Sequence, residues 1–422
     1  MFKMYPSGLR GRRRSLLLGL LLVLPAISGL AGQESHSEGT LWIHNTAQPA
    51  NGVESLRLEE MWRAGGVDDD ETIFGLITRV RSDDAGNLYL LDAQLQQVYV
   101  FDPEGNPRGT LYREGDGPGE ITWGCDLMFL PDGDLGVTRR FPGSVVTVAT
   151  DGTPTTHGFG GKDPRLSFAS GESAGGNIVI GGVVSKPGEH DGAGTRTNFL
   201  ASFSPGGDEQ VRYTEKSWSF DYHNNFTFKE TSALADFLYS YAVGPDGRVY
   251  TLPDRERYVV KVFNTDGSVD RIIEREFTPR QRTNVERARI QALVDRRFRT
   301  FPFDLTVELA DSEAAVPWYY RGLQVAPDGS LWVRHSQSAE AVDALIVFDV
   351  FDPEGHYRKQ VAVPVPGNAM LDGVFLAGSD RLVVVHGFVD CMRMNVGGGR
   401  GPIDDGTGDP QPVEVVCYRI VQ

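Results

Sequence analysis

The sequence predicts an all-β chain: a six-bladed β-propeller of four-stranded antiparallel blades, closed by an N-terminal strand and carrying one helical insertion. Three observations lead there. A short turn-and-strand unit recurs six times along the chain. Gly is abundant, at 50 of 422 residues, which suits many tight turns. The last unit lacks a fourth strand, and a β-rich run near the N-terminus is placed to supply it. Repetition at this period marks folds built from stacked supersecondary units, each burying its apolar face against the next.

The first complete unit is organised around Gly86-Asn87-Leu88-Tyr89-Leu90-Leu91-Asp92. An apolar run at residues 77–80 precedes it, and Val98-Tyr99-Val100-Phe101-Asp102 follows, with turns at 83–86 and 103–106. Alternating side chains between Gly- or Asn-bearing turns describe an antiparallel meander. Relatives of Asp84-Ala85-Gly86-Asn87-Leu88 are Pro131-Asp132-Gly133-Asp134-Leu135, Ala174-Gly175-Gly176-Asn177-Ile178, Pro245-Asp246-Gly247-Arg248-Val249 and Pro327-Asp328-Gly329-Ser330-Leu331, with a degenerate copy at Gly378-Ser379-Asp380-Arg381-Leu382. Copies lie about 43 to about 82 residues apart, the excess falling in loops. The final unit offers strands at 371–376, 381–386 and 413–420, and residues 55–62 provide the fourth.

Residues 1–32 carry five basic groups and no acidic ones, then an apolar run at 16–24, Pro25 and small residues. That is the pattern of a bacterial export signal. The other reading of these residues, an uncleaved anchor, needs an apolar run of about 20 residues. Arg13-Arg14-Ser15-Leu16-Leu17 leaves the general and twin-arginine routes both open, and Gln33 stands where a lipoprotein box has Cys. The expected organisation is a signal peptide over 1–32, a flexible segment over 33–53 and the propeller over 54–422. The product is expected to be periplasmic or secreted, with no stable membrane anchor after cleavage.

Without the five basic groups of residues 1–32, 36 basic groups face 57 acidic ones, a formal net charge of −21. So acidic a surface repels phosphate backbones and excludes nucleic acid as a partner. Of three cysteines, Cys391 and Cys417 flank a Gly-rich loop and are the expected disulfide in an oxidising compartment. Cys125 opens a predicted inner strand and reads as a small buried residue.

The repeat resembles that of the bacterial six-bladed β-propellers of the NHL-repeat-like group. The likeness rests on Asp84-Ala85-Gly86-Asn87-Leu88-Tyr89 with Asp92, on Val100-Phe101-Asp102-Pro103-Glu104-Gly105, and on Gly115-Asp116-Gly117-Pro118-Gly119-Glu120. It spans nearly all of the mature chain and implies an exported or surface-associated propeller without implying an activity.

Several local patterns touch on chemistry. Gly171-Glu172-Ser173-Ala174-Gly175 has the serine-hydrolase spacing but is followed by no helix, which a nucleophile elbow requires. Asp404, Asp405 and Asp409 lack the ligand spacing of a Ca²⁺ loop. Residues 115–120 match no phosphate-binding fingerprint, and their glycines suit a crossing between blades. No cofactor is expected.

The ends of the second strands say more. Counting six residues from each turn places Asp92, Arg139, His335 and His386 on one rim, and the inner strands starting on that face add Arg79, Asp126, Arg321 and Asp372. These eight are the expected ligand-binding residues at the channel mouth. Two functions follow from them. One is non-catalytic binding of a small molecule, glycan or protein; the other is a metal-dependent hydrolase or lyase using the same rim. His335 and His386 form a candidate metal pair without a third His. An insertion opening at Thr278-Pro279 is expected to be a helix to Phe298, with an Ile290, Val294, Phe298 stripe and seven arginines against Glu286 and Asp295. It is expected to lie beside the mouth and favour an anionic ligand.

Overall fold

A computed structural model describes residues 33–37, 39–222, 226–299, 304–340, 343–397 and 412–421. Six blades of four antiparallel strands each form a six-bladed β-propeller, and added N-terminal strands extend the sheet of the fourth blade to six strands and that of the fifth to five. The first blade is Ile77–Ser82, Leu88–Asp92, Gln97–Phe101 and Pro107–Leu111. The second is Gly124–Phe129, Leu135–Arg139, Ser144–Val148 and Phe159–Gly160. The third has much longer strands, Leu166–Ala174, Asn177–Pro187, Ala193–Phe203 and Glu209–Asp221. The fourth and fifth begin at Tyr241–Val243 and Leu323–Val325, and the sixth at Gly373–Ala377.

The ring closes as the sequence predicts. Arg57–Gly65 runs antiparallel to Glu414–Val421 in the sixth blade, pairing Trp62 with Cys417 and Leu58 with Ile420. Trp62 is buried and stacks on Phe101 of the first blade at 5.2 Å between ring centroids. Gly105 lies against the same indole. A Cβ there would fall 2.3 Å from Trp62 Cγ, and its φ of +87° already favours glycine. The closing strand is thus held by hydrogen bonds on one side and by aromatic packing on the next blade.

Residues 33–53, expected as a flexible lead-in, are instead largely paired. Thr40–Asn45 adds in parallel to the outer strand Val269–Arg275 of the fourth blade, and Gln33–Ser37 folds back on it. Val53–Ser55 adds to Tyr357–Val363 of the fifth blade. Two contacts explain this. Ile43 is buried, and Asn45 bridges blades, donating to Gly355 O at 3.0 Å and accepting from Tyr357 N at 2.8 Å. Covering outer edges in this way removes unpaired backbone groups from solvent.

The insertion helix runs Asn284–Phe298, starting later than Pro279. Its start is set by a capping box in which Thr283 and Glu286 satisfy each other's backbone N–H groups. The preceding Arg280 and Arg282 stay extended, and Arg282 reaches into the protein. The Ile290, Val294, Phe298 stripe packs on Phe226 and Phe228 of a small parallel pair, Phe226–Lys229 with Leu305–Glu308.

Deleting residues 33–65 is expected to leave Glu414–Val421 as an open edge, giving soluble oligomers by size-exclusion chromatography and a lower melting temperature. Trp62→Ala should cost about 3–5 kcal/mol in denaturant unfolding while keeping the chain monomeric. An unchanged melt for both would place closure elsewhere.

Candidate functional site

Of the eight residues expected to bind ligand, most are occupied with the protein itself. Asp92 is fully buried and accepts from four backbone amides, those of Gly75, Leu76, Gln94 and Leu95, at 2.6–3.0 Å. Asp372 likewise accepts from Asn368 N and Gly387 N and binds His386 Nδ1 at 2.7 Å. That bond, outweighing partial burial, raises the His386 pKa. His335 lies edge-on to Phe277, accepts from Gln337 N and sits 3.5 Å from Asp349. Arg139 binds Ser144 Oγ at 2.9 Å and lies 3.4 Å from Asp116. These residues order the loops of the mouth. His335 and His386 each face a different carboxylate, so they do not converge as a metal pair.

Arg79, Asp126 and Arg321 do come together, around the axis of the ring. Asp126 Oδ1 is 3.3 Å from Arg79 Nε and its Oδ2 is 2.9 Å from Arg321 Nη1, all three side chains being buried. Glu172, on the inner strand of the third blade, joins them through Arg79 at 2.9 Å.

A chamber lies beside this axis on the same face. The long third blade makes it: its strands run past the ring, so Val183, Ser185, Arg196, Asn198 and Trp218 stand above the mouth. The insertion helix leans on that wall with Ile290, Leu293, Val294, Arg297 and Phe298, enclosing a cavity of about 320 Å³. Tyr239, Trp318 and Tyr319 form the floor where the fourth and fifth blades begin, and Arg140 and Arg393 enter from the second blade and the helix Phe388–Gly397.

Among the described residues five arginines line the chamber, against a single carboxylate, Glu230. Glu230 is already engaged by Arg282 and Arg255, both at 2.7 Å, and Arg282 also holds Glu313 at 2.9 Å. Tyr319 donates to Glu313 at 3.0 Å. Burial opposes the Arg282 charge, but its bonds to Glu230 and Glu313 prevail and raise its pKa. In the same hub Asp236, 3.1 Å from Arg255, has its pKa raised by burial. On the opposite wall burial lowers the Arg297 pKa, and the nearby charges of Arg140 and Arg196 add to the effect. Arg196 lies over Trp218 and Phe220, and Arg393 over Tyr319 at 4.6 Å from the ring centroid. One wall is therefore an ion-pair cluster of Glu230, Glu313 and Asp236 with Arg255 and Arg282, and the other gathers cations among aromatic faces.

The expected lid position of the helix and its apolar stripe match this arrangement. Of the helix arginines singled out in the sequence, Arg297 lines the cavity, while Arg287 pairs with Asp311 and Arg280 with Glu286. Arg140, Arg196, Tyr239, Trp318 and Arg393 escaped the sequence reading. A usable signal was present in the alternating Trp218 and Phe220 of an outer strand, Glu209–Asp221, too long for an ordinary blade.

Two other expectations need correction or placement. Cys391 and Cys417 do not form a disulfide: all three cysteines are free and buried. Cys391 lies in the helix Phe388–Gly397, which packs on the first blade, whereas Cys417 sits mid-strand opposite Trp62. Burial raises the pKa of Cys391 to about 12 and of Cys417 to about 11, which keeps both as inert thiols. The expected signal segment, the Gly-rich loop between these cysteines and Asp404, Asp405 and Asp409 lie outside the described residues. Ser173 pairs with Ile178 inside an inner strand and is no nucleophile elbow. Glu120 accepts from Gly117 N at 2.9 Å, the structural role expected of that turn. Among the described residues one group has metal-ligand spacing, Asp132, Asp134 and His157 at the outer end of the second blade. In it, His157 Nδ1 is hydrogen-bonded to Asp134 at 2.7 Å.

No family model and no curated protein sequence matches the chain. Among solved structures it is similar to a Bacteroides fragilis protein assigned as exported, at 12% identity and a TM-score of 0.46, covering 90% of this chain and 100% of that one. It is also similar to regucalcin, a calcium-binding protein of Agrobacterium tumefaciens, at 13% identity and a TM-score of 0.40, covering 88% and 97%. A third similar structure is a gluconolactonase of Xanthomonas campestris, at 12% identity and a TM-score of 0.40, covering 88% and 91%. Likeness this distant assigns no activity to this chain.

Two outcomes follow. Glu230→Gln removes a charge from a buried cluster and should destabilise the fold by about 3–5 kcal/mol in urea unfolding; a neutral effect would mean the hub is solvated. For His386, a folded pKa above the free value makes its contribution to stability full below about pH 6.5 and lost as pH rises through the raised value. Wild type minus His386→Gln stability should therefore be larger at acid pH than at pH 9, and the reverse slope would contradict the Asp372 contact.

Proposed function

We propose that the protein is an exported, NHL-like propeller that binds a small organic anion with an apolar body, without catalysis, in the chamber beneath the insertion helix. The observation carrying this reading is the chamber's lining. Arg140, Arg196 and Arg297 gather on one wall, where a carboxylate accepts charge-assisted, bidentate hydrogen bonds from a guanidinium. Trp218, Phe228, Phe298 and Trp318 supply apolar and ring surface for the rest of the molecule. The cavity, at about 320 Å³, sits at the small end of ligand sites, which excludes a folded protein or a long glycan as its occupant. Export is supported by the charge and hydropathy pattern of residues 1–32; among the described residues no helix is long and apolar enough to cross a membrane.

The catalytic alternative placed a metal on the rim. The rim carboxylates Asp92 and Asp372 hold loop amides instead, and the described lining of the chamber contains neither His nor Cys.

The test is binding of benzoate, phenylacetate and octanoate, with benzyl alcohol and octanol as uncharged controls. Wild type should bind the carboxylates, with a change in Trp fluorescence and a raised melting temperature, and ignore the alcohols. A charged hydrogen bond is worth about 1.5–3 kcal/mol, so Arg140→Gln and Arg196→Gln should each weaken binding about tenfold or more. Equal affinity for acids and alcohols, or for wild type and both variants, would remove the proposal.

A further inference from the structure

The axis of the ring holds a charge imbalance that the ligand chamber does not explain. Three guanidiniums meet there, Arg79 and Arg81 from the first blade and Arg321 from the entry to the fifth. Among the described residues two carboxylates answer them, Asp126 and Glu172. Each carboxylate is shared. Asp126 bridges Arg79 and Arg321 and also accepts from Gly171 N at 2.9 Å, while Glu172 lies 2.9 Å from Arg79 and 3.5 Å from Arg81. Burial, with the charges of Arg79 and Arg321 beside it, pushes Arg81 down to about 10.

Arg321 shows where the deficit lies. Its side chain is 3% exposed and its Nη1 goes to Asp126, yet Nε and Nη2 have no partner among the described residues. Those two atoms form the side-on edge of a guanidinium, the edge that grips an anion with two parallel N–H donors. Arg81 Nη2 is also without a hydrogen bond. The large majority of buried side-chain donors in folded proteins have a hydrogen-bond partner. Arg321 further adopts a left-handed backbone, with φ of +48°. A non-glycine residue held there is a strained placement of the kind that gathers at ligand-holding positions.

We propose that the propeller axis is a binding site for a small monovalent anion, held on the open Nε/Nη2 edge of Arg321 and neutralising the extra guanidinium. Chloride and a small carboxylate such as formate share this chemistry. The site is separate from the chamber, from which Tyr239 divides it: Tyr239 lines the chamber and lies under Arg321 at 5.9 Å from the guanidinium carbon. An anion here ties the first, second, third and fifth blades to one point, so it acts as a structural ligand of the ring.

The experiment follows the melting temperature of the full chain while chloride, or formate, replaces methanesulfonate at constant ionic strength. Wild type should gain several degrees with saturation, and the anion that saturates at the lower concentration is the occupant. Arg81→Gln leaves two guanidiniums against two carboxylates and should lose most of the response. Arg321→Lys keeps the charge without the two-donor edge and should raise the half-saturating concentration tenfold or more. Crystals of wild type soaked in bromide should show an anomalous peak beside Arg321, a readout that stands even where a variant fails to fold. A response identical in all three anions, a response in both variants equal to that of wild type, or bromide absent from the axis would overturn the proposal.

Discussion

Closure of the ring is the constraint on which everything else rests. A propeller blade exposes both faces and two edges until its neighbours cover them, and the sixth blade is short of one strand. Arg57–Gly65 completes it, and Trp62 then packs across the seam on Phe101 and Gly105 of the first blade. With the ring shut, the inner strands of successive blades are forced to converge. Arg79, Asp126 and Glu172 reach the axis for that reason, although more than 90 residues separate the first from the last.

Convergence brings charge out of water, and the molecule meets that cost in two ways. Around Glu230 and Glu313 each carboxylate receives two guanidiniums or a guanidinium and a tyrosine hydroxyl, so its charge is met within the hub by hydrogen bonds. Along the axis and on the far wall of the chamber, cations gather in excess. A chain whose overall balance is strongly acidic thus gathers buried guanidiniums at the axis and on one wall of the chamber. The two proposed ligands, a small anion at the axis and a larger, partly apolar one beneath the helix, answer that charge.

The fold was legible because its cause is local. Every blade announces itself by a Gly turn and an alternating strand, and the missing fourth strand could be matched to a run at the other end of the chain. The helix was legible from Ile290, Val294 and Phe298, although its start was misplaced because Thr283–Glu286 is a better cap than Thr278. The site was less so. Counting along strands finds residues at the right height on the rim, but not whether their side chains face ligand or loop backbone. Asp92 and Asp372 occupy rim positions and spend their oxygens on nearby amides. The chamber instead draws on Arg196 and Trp218 from an overlong blade, Arg140 beside the rim residue, and Arg393 from a helix not expected at all. The cysteine pairing failed for a related reason: spacing around a loop says nothing of the helix that carries Cys391 toward the first blade.

The most direct measurement is a crystal structure of the full chain soaked with a bromine-substituted phenylacetate, located by anomalous scattering. The carboxylate should lie between Arg140 and Arg196, with the brominated ring against Trp218 and Phe298 and the insertion helix closed over it. A ligand bound at the open rim by Arg139 and His386, or a chamber left empty at saturating concentration, would contradict the assignment of this cavity as the binding site.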